Sequence, residues 1–264
     1  MVDDGLFERL PIDRLFGIHN TPGTPAGQLR TRPGPVMAGE DNFTIQVRGR
    51  GGHASAPHLV VDPLVIGAEI VLALQHVVAR SVDPVRAAVL SCTDLRTDGT
   101  RNAIPSNVTI TGDTRSFDKE IQELLDRRIR EVSHGVATAH GATVDVTYTH
   151  EFAPTVNDAT CVAIAGRAAH RALGEDRVDI ATEPIMASED FGVLARSVPA
   201  LPYSAMAPST AEAAYRSTAT LTSSTTRLRP PGSLTTARSS HRALLRTDPR
   251  PTDSPSTQVQ GLVA

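Results

Sequence analysis

Tryptophan is missing from this chain of 264 residues, and aromatic residues make up only 3% of it. With hydrophobic residues at 40%, the core must be built from Val, Ala, Leu and Ile. Lysine is nearly missing too: Lys119 stands alone against 25 arginines, a bias that a GC-rich genome explains without any function. Neither sign of charge is in large excess. The formal net charge is −3, which gives no case for a nucleic-acid partner or an anionic membrane surface. Cysteine occurs twice, as Cys92 and Cys161. Two isolated thiols make neither a disulfide framework nor a zinc spacing, so a reducing cytoplasm is the expected compartment. No apolar run reaches the roughly 18 residues of a membrane span. No signal peptide opens the chain, and no membrane partner is expected.

What is present is clearest in the middle. Phe43 to Val47 alternates apolar and polar with period two, as a half-buried strand does. Leu64 to Val78 is long and apolar enough for a helix, with Asp62 as its cap and Pro63 in its first turn. Val85 to Leu95 and Val108 to Phe117 read as strands, the latter with Val108, Ile110 and Gly112 on one face. Lys119 to Ala139 is a helix whose stripe is Ile121, Leu124, Leu125, Ile129 and Val132. Val144 to Tyr148 is a fourth strand. The order β-α-β-β-α-β is that of a ferredoxin-like unit: four antiparallel strands with both helices on one face. Beyond it, Val162 to Leu173 and Phe191 to Ser197 read as helices.

The turn between the first strand and the first helix is unusual. Gly49-Arg50-Gly51-Gly52-His53-Ala54-Ser55-Ala56-Pro57-His58 lets backbone approach a ligand closely, because glycine has no Cβ, and it can offer His53 to a substrate. By itself it also reads as an ordinary turn with a solvated histidine. Four other segments stand in order around it: Leu15-Phe16-Gly17-Ile18-His19-Asn20, Arg101-Asn102-Ala103-Ile104-Pro105, Gly112-Asp113-Thr114-Arg115-Ser116-Phe117, and Met186-Ala187-Ser188-Glu189-Asp190-Phe191.

In that order and spacing, these five segments resemble the aminoacylase–carboxypeptidase superfamily of dizinc hydrolases, in its hippurate hydrolase and indole-acetyl-amino-acid hydrolase branch. The resemblance covers about Met1 to Pro199. It implies an α/β (α+β) chain, with the ferredoxin-like unit (38–151) as a lid and dimerisation domain. That unit would be inserted in an incomplete α/β metallohydrolase domain (1–37 and 152–200). It also implies an N-acyl amino acid or small peptide-like substrate, cut by water to a carboxylate and an amino acid. Two divalent metal ions would activate the water, zinc first, with manganese and cobalt as alternatives. A homodimer through the lid follows from the same resemblance.

Residue by residue, the resemblance implies the following. His19 is the one metal-ligand candidate, and it also reads as a buried strand-end histidine. His53 steadies the scissile carbonyl oxygen, in dimers usually that of the partner's site. Asn102 and Arg115 bind substrate, Arg115 by a bidentate pair with its carboxylate; a turn Asn and a surface strand Arg are the plain alternatives. His58 lines the same cleft or caps the helix start. Glu189 and Asp190 face the metal pair as an acidic turn, or are solvated acids at a helix start.

The family's other ligands come from Cys-Gly-His-Asp and Glu-Glu segments, expected upstream of Met1, and from a late histidine. The last 64 residues offer no such histidine; His241 stands in altered surroundings. Ser and Thr fill 21 of the positions from Leu201 to Ala264, without helical or strand period, so a disordered tail is expected. Read one base out of register after about Ala200, Ser204 to Pro208 can encode Gly-Asn-Gly-Thr. Ala214 to Thr226 can encode a Leu-His-Ser…Tyr-Glu-Phe-Asn-Asp segment. Both look like family motifs, so a frameshift is expected. A single imidazole cannot hold a zinc pair. The expectation is therefore a metal-dependent amidohydrolase by descent, inactive as this chain stands. The alternatives from other classes are a non-catalytic dimerising fragment and a small-molecule-binding module.

Overall fold

The computed structural model describes residues 2–201, apart from residues 11, 20, 22, 23, 26 and 199. The expectations about the tail, the frameshift and His241 fall beyond Leu201 and lie outside the described residues. In chain order the elements are α1 (Leu6–Arg9), β1 (Leu15–Phe16), β2 (Leu29–Arg30), β3 (Gly34–Met37), β4 (Gly39–Arg48), β5 (Gly52–His53), α2 (Pro63–Ser81), β6 (Ala88–Thr97), β7 (Ala103–Ile104) and β8 (Asn107–Ser116). Then follow α3 (Lys119–Ala139), β9 (Thr143–Phe152), β10 (Thr155–Asn157), α4 (Ala159–Leu173), β11 (Val178–Asp179), α5 (Phe191–Ala195) and β12 (Ala200–Leu201).

The central sheet has the order β6-β8-β4-β9, every neighbour antiparallel. Its alternation sends Phe43, Ile45, Val47, Val108 and Ile110 to one face. There they form one buried cluster with Ile66, Ile70, Leu74 and Val77 of α2 and Ile121, Leu125 and Ile129 of α3. Both helices thus lie on one face, as the β-α-β-β-α-β order predicts. Asn42, Gln46 and Arg48 of β4 point the other way and are exposed, so the second face is polar. Gly112 is required at the centre: a Cβ there would stand 2.1 Å from the Ser91 carbonyl oxygen and 2.3 Å from Phe43 Cζ.

Each long helix starts where a carboxylate satisfies an orphan N–H. Asp62 accepts from Leu64 N at 2.9 Å, Asp118 from Ile121 N at 3.0 Å and Asp158 from Cys161 N at 2.9 Å. The Asp158 cap starts α4 three residues ahead of the expected Val162. Strand β6 starts three residues later than expected. Asp83 takes the Val85 and Arg86 N–H groups into a turn, and the Arg86 side chain pairs with Asp118 and Glu120 instead of entering the strand. By length and composition alone α2 would pass for a membrane span, with a mean hydropathy of 1.5 over its best window, although Glu69 interrupts its apolar run. It packs on the sheet through Ile66, Ile70, Leu74 and Val77 and leaves Val65 and Leu72 exposed.

The segments flanking the sheet are joined by very short ladders. β1 pairs with β12 and β2 with β11, both in parallel, and β3 pairs antiparallel with β10. Their apolar clusters are small: Leu15 with Phe191, Val36 with Met37, and Cys161 with Val162.

Candidate functional site

The expected site residues fall into two groups at opposite ends of the central sheet. His53, Asn102 and His58 belong to the loops where β4 ends and β8 begins. Gly52 and His53 pair with Ile104 and Ala103, and Ala54 N donates to the Asn102 carbonyl at 3.0 Å. Gly51 has no room for a side chain, since a Cβ would lie 2.5 Å from the Ile104 oxygen. The 98–107 loop is closed by Asp98, which accepts from Ser106 N, Asn107 N and Asn107 Nδ2 at 3.0, 3.1 and 2.8 Å. These bonds, the Asn107 side chain first, hold the exposed Asp98 carboxyl below the usual carboxylate range.

The local bonds also fix the state of His53. Ser55 N donates to His53 Nδ1 at 3.2 Å, and the Ser55 hydroxyl lies 2.7 Å from the same atom. Nδ1 is therefore an acceptor, and in the neutral ring the proton sits on Nε2. An exposed imidazole presenting Nε2–H is the donor that polarising a carbonyl oxygen requires. Asn102 Oδ1 accepts from the Thr100 hydroxyl at 3.3 Å, which leaves its amide nitrogen as the donor side. His58 sits exposed in the 3-10 turn Pro57–Leu59.

Arg115, Glu189 and Asp190 lie at the other end. Asn107 and Arg115 bound most of β8, eight residues apart, or roughly 26 Å at strand rise. One copy of the chain therefore does not bring His53 to Arg115. Arg115 faces Glu40 across the β4–β8 pair. Its Nε donates to Asp113 Oδ2 at 2.7 Å, and its Nη2 lies 3.0 Å from Glu40 Oε2. Its Nη1 donates to Ser188 Oγ at 3.0 Å and to the Met186 carbonyl at 3.3 Å. Ser188 in turn donates to Glu40. Next to it, Glu189 accepts from Phe191 N at 2.9 Å. Burial, and then the neighbouring charge of Asp190, push the Glu189 carboxyl up to about 7 against the pull of that N–H. A carboxyl poised there can take or give a proton at neutral pH.

His19 is half-buried, three residues past β1. Leu15 of β1 and Phe191 of α5 share one apolar cluster, so the segments of His19 and Glu189 meet in the same part of the fold. The donor set for a metal pair is not assembled there: among the described residues, no group of three His, Cys, Asp or Glu side chains could hold an ion. A cavity of about 700 Å³ opens elsewhere, between Lys119, Gln122 and His150 on one side and Val193 and Arg196 on the other. None of the expected site residues lines it.

Three residues escaped the sequence reading. Glu40 and Ser188 complete the surroundings of Arg115. Asp41, 2% exposed, accepts from Gln122 Nε2 at 2.7 Å, His150 Nδ1 at 2.8 Å and the Tyr148 hydroxyl at 3.0 Å, tying α3 and β9 to β4. A polar residue on the apolar face of β4 was the available signal for Asp41. Ser188 lay inside a recognised motif, but nothing local names its partners.

Known proteins extend these likenesses. Residues 1–218 match Peptidase family M20/M25/M40. The chain is 35% identical to the hippurate hydrolase of Campylobacter jejuni over 192 residues, covering 73% of this chain and 50% of that one. It is 38% identical to the N-acetyldiaminopimelate deacetylase of Leuconostoc mesenteroides over 205 residues, covering 75% and 52%. The fold is similar to that of a dinuclear metal binding peptidase from Bacillus subtilis, with a TM-score of 0.63, 24% identity, and 82% and 56% of the two chains covered. The chain thus spans about half the length of the curated relatives it matches. With the five motifs in order, the mixed α/β fold and a match over residues 1–218, the chain belongs to Peptidase family M20/M25/M40.

Proposed function

We propose that the protein derives from a metal-dependent amidohydrolase of N-acyl amino acids and contributes the substrate-contacting and dimerising part of such an enzyme. The observation that carries this reading is the split of the site. His53, with its outward Nε2–H, and Asn102 stand at the far end of the sheet from Arg115 and Glu189. A site that uses all four is completed by a second copy, whose His53 and Asn102 would reach toward the first copy's Glu189. Residues 38–151 would then be the lid and dimerisation unit, and 1–37 with 152–200 the part facing the metals.

The exposed surface supports a dimer on one side of this unit. β6 is an edge of the sheet, and an unpaired edge invites a partner strand. Helix α2 packs beside β6 and leaves Leu64, Val65 and Leu72 exposed at 39%, 63% and 69%. A second copy laid edge to edge would cover both. Two thiols without disulfide partners, Cys92 and Cys161, suit the cytoplasm.

Two metal ions in such a family supply an activated water and a polarised carbonyl. The described residues do not fit that pair, since no group of three His, Cys, Asp or Glu side chains among them could hold an ion. What they can supply is a donor to the carbonyl oxygen, from His53, and a proton carrier near neutral pH, from Glu189. The chain should therefore release no glycine from hippurate, nor amino acids from N-acetyl derivatives, with zinc, manganese or cobalt added. Sedimentation should show a dimer. Turnover that a chelator and His19→Ala both abolish would contradict the inactive reading, and a monomer at micromolar concentration would contradict the dimer.

A further inference from the structure

We infer that Arg115, Glu40 and Ser188 form a joint that pins the Met186–Phe191 turn to the sheet and so positions the Glu189 carboxyl, making Arg115 a positioning residue that acts through Glu189. The inference rests on the reading of Glu189 as the acid of the candidate site, but its geometry stands by itself.

Each member of the joint bonds to the other two. Arg115 Nη1 donates to Ser188 Oγ at 3.0 Å, Arg115 Nη2 lies 3.0 Å from Glu40 Oε2, and the Ser188 hydroxyl donates to Glu40. Arg115 adds a bond to the Met186 carbonyl and takes Asp113 through Nε. Nε and Nη1 are thereby hydrogen-bonded within the chain, and Nη2 is ion-paired with Glu40. The side chains of Arg115 and Glu40 are 22% and 19% exposed, so solvent competes only weakly with these charge-assisted bonds.

The electrostatics point the same way. One guanidinium faces two carboxylates, Glu40 of the joint and Asp113 beside it, so negative charge exceeds positive around Arg115. A substrate carboxylate approaching Arg115 would meet that charge and no open fork. The turn, by contrast, has little else to hold it to the sheet end. Ile185 pairs by backbone with Val36 and Ala38, and the next fixed point is Phe191 in its apolar cluster. Between them lie Ser188, which the joint holds, and Glu189, whose carboxyl bonds to the N–H of Phe191. Fixing Ser188 therefore fixes the residue beside it, and with it how deeply the Glu189 carboxyl is buried.

The test uses the full chain and three variants: Arg115→Ala, Ser188→Ala and Arg115→Lys. Carbon NMR of labelled glutamate follows the Glu189 carboxyl, its signal assigned by its loss in Glu189→Gln. Hydrogen exchange reads the 186–191 amides. Both alanine variants should lower the Glu189 titration midpoint by about one pH unit, because a loosened turn restores water to the carboxyl. Exchange in the turn should speed up about tenfold, with the Ile45 and Ile110 amides unchanged. Arg115→Lys should recover part of the midpoint, since one ammonium can meet Glu40 but cannot also span to Ser188 and Met186. If Arg115→Ala fails to fold, Ser188→Ala decides alone. An unchanged midpoint and unchanged exchange in Ser188→Ala would overturn the joint. Neither readout depends on turnover or on dimerisation, so a failure of the functional reading would show separately.

Discussion

The sheet unit and its flanks are built from the same residue types yet held in different ways. Between Gly39 and Phe152, four ten-residue strands and two helices close on a single apolar cluster with Phe43, Ile45, Leu74, Ile110, Leu125 and Ile129 almost fully buried. On either side, two- and three-residue ladders bring together segments far apart in sequence, and each apolar cluster rests on one buried pair. Long strands with their own helices carry stability where they are. Short ladders report position, and depend on polar ties such as Arg115 to Ser188. The residues with the most suggestive chemistry, His19 and Glu189, both sit in the weaker region.

The comparison can be broken most forcefully in the core. Ile110→Ala should cost about 2–5 kcal/mol and lower the main thermal transition, because a rigid cluster cannot collapse around the void. Leu15→Ala, in the flank, should leave that transition nearly unmoved while speeding proteolysis near residues 12–19. Equal effects of the two on the main melt would mean that the chain is one cooperative body. A segment of residues 38–151 should likewise melt cooperatively by itself, as read by circular dichroism.

A smaller effect is expected at Asp41. Asp41→Asn keeps the shape but removes the charge and one acceptor from three donors, and should cost about 1–3 kcal/mol. Denaturant titration would read it, and a change below experimental error would show that the Gln122, Tyr148 and His150 bonds add nothing to the sheet.

The smallest and most diagnostic effect concerns Glu189. Its folded-state carboxyl is pushed up to about 7, above the roughly 4.3 of a free glutamate. Below the lower value both states are protonated. Between the two, the folded chain keeps a proton that the unfolded chain has released, so this group's stabilisation is lost as pH rises through about 7. Partial exposure holds the effect to the order of 1 kcal/mol. Glu189→Gln should remove that slope: melting temperatures of the two proteins should diverge between pH 5 and pH 8. Parallel profiles would mean that Glu189 titrates as an ordinary surface acid.

Most of the sheet unit was legible because its signals are local. Phe43 to Val47 alternates, Ile121, Leu125 and Ile129 form a stripe, and Asp62 caps the helix it precedes in sequence. His53 and Asn102 were legible as motifs, and the Ser55 bond that sets the His53 tautomer spans only two residues. The surroundings of Arg115 were not legible. Ser188 lies 73 residues away, and no period or propensity links a strand arginine to a turn serine. Strand β6 began late because a turn bond at Asp83 competed with β propensity at Val85, a contest that composition alone does not decide.

Among the described residues no donor set for a metal pair is assembled, and the proposal is that the substrate-contacting side chains stand without one. Zinc bound per chain, measured by elemental analysis after equilibrium dialysis of the full protein at micromolar free zinc, tests it most directly. The account expects no plateau at two ions per chain and no change in bound zinc on His19→Ala. Two ions per chain, with at least one lost in His19→Ala, would contradict it.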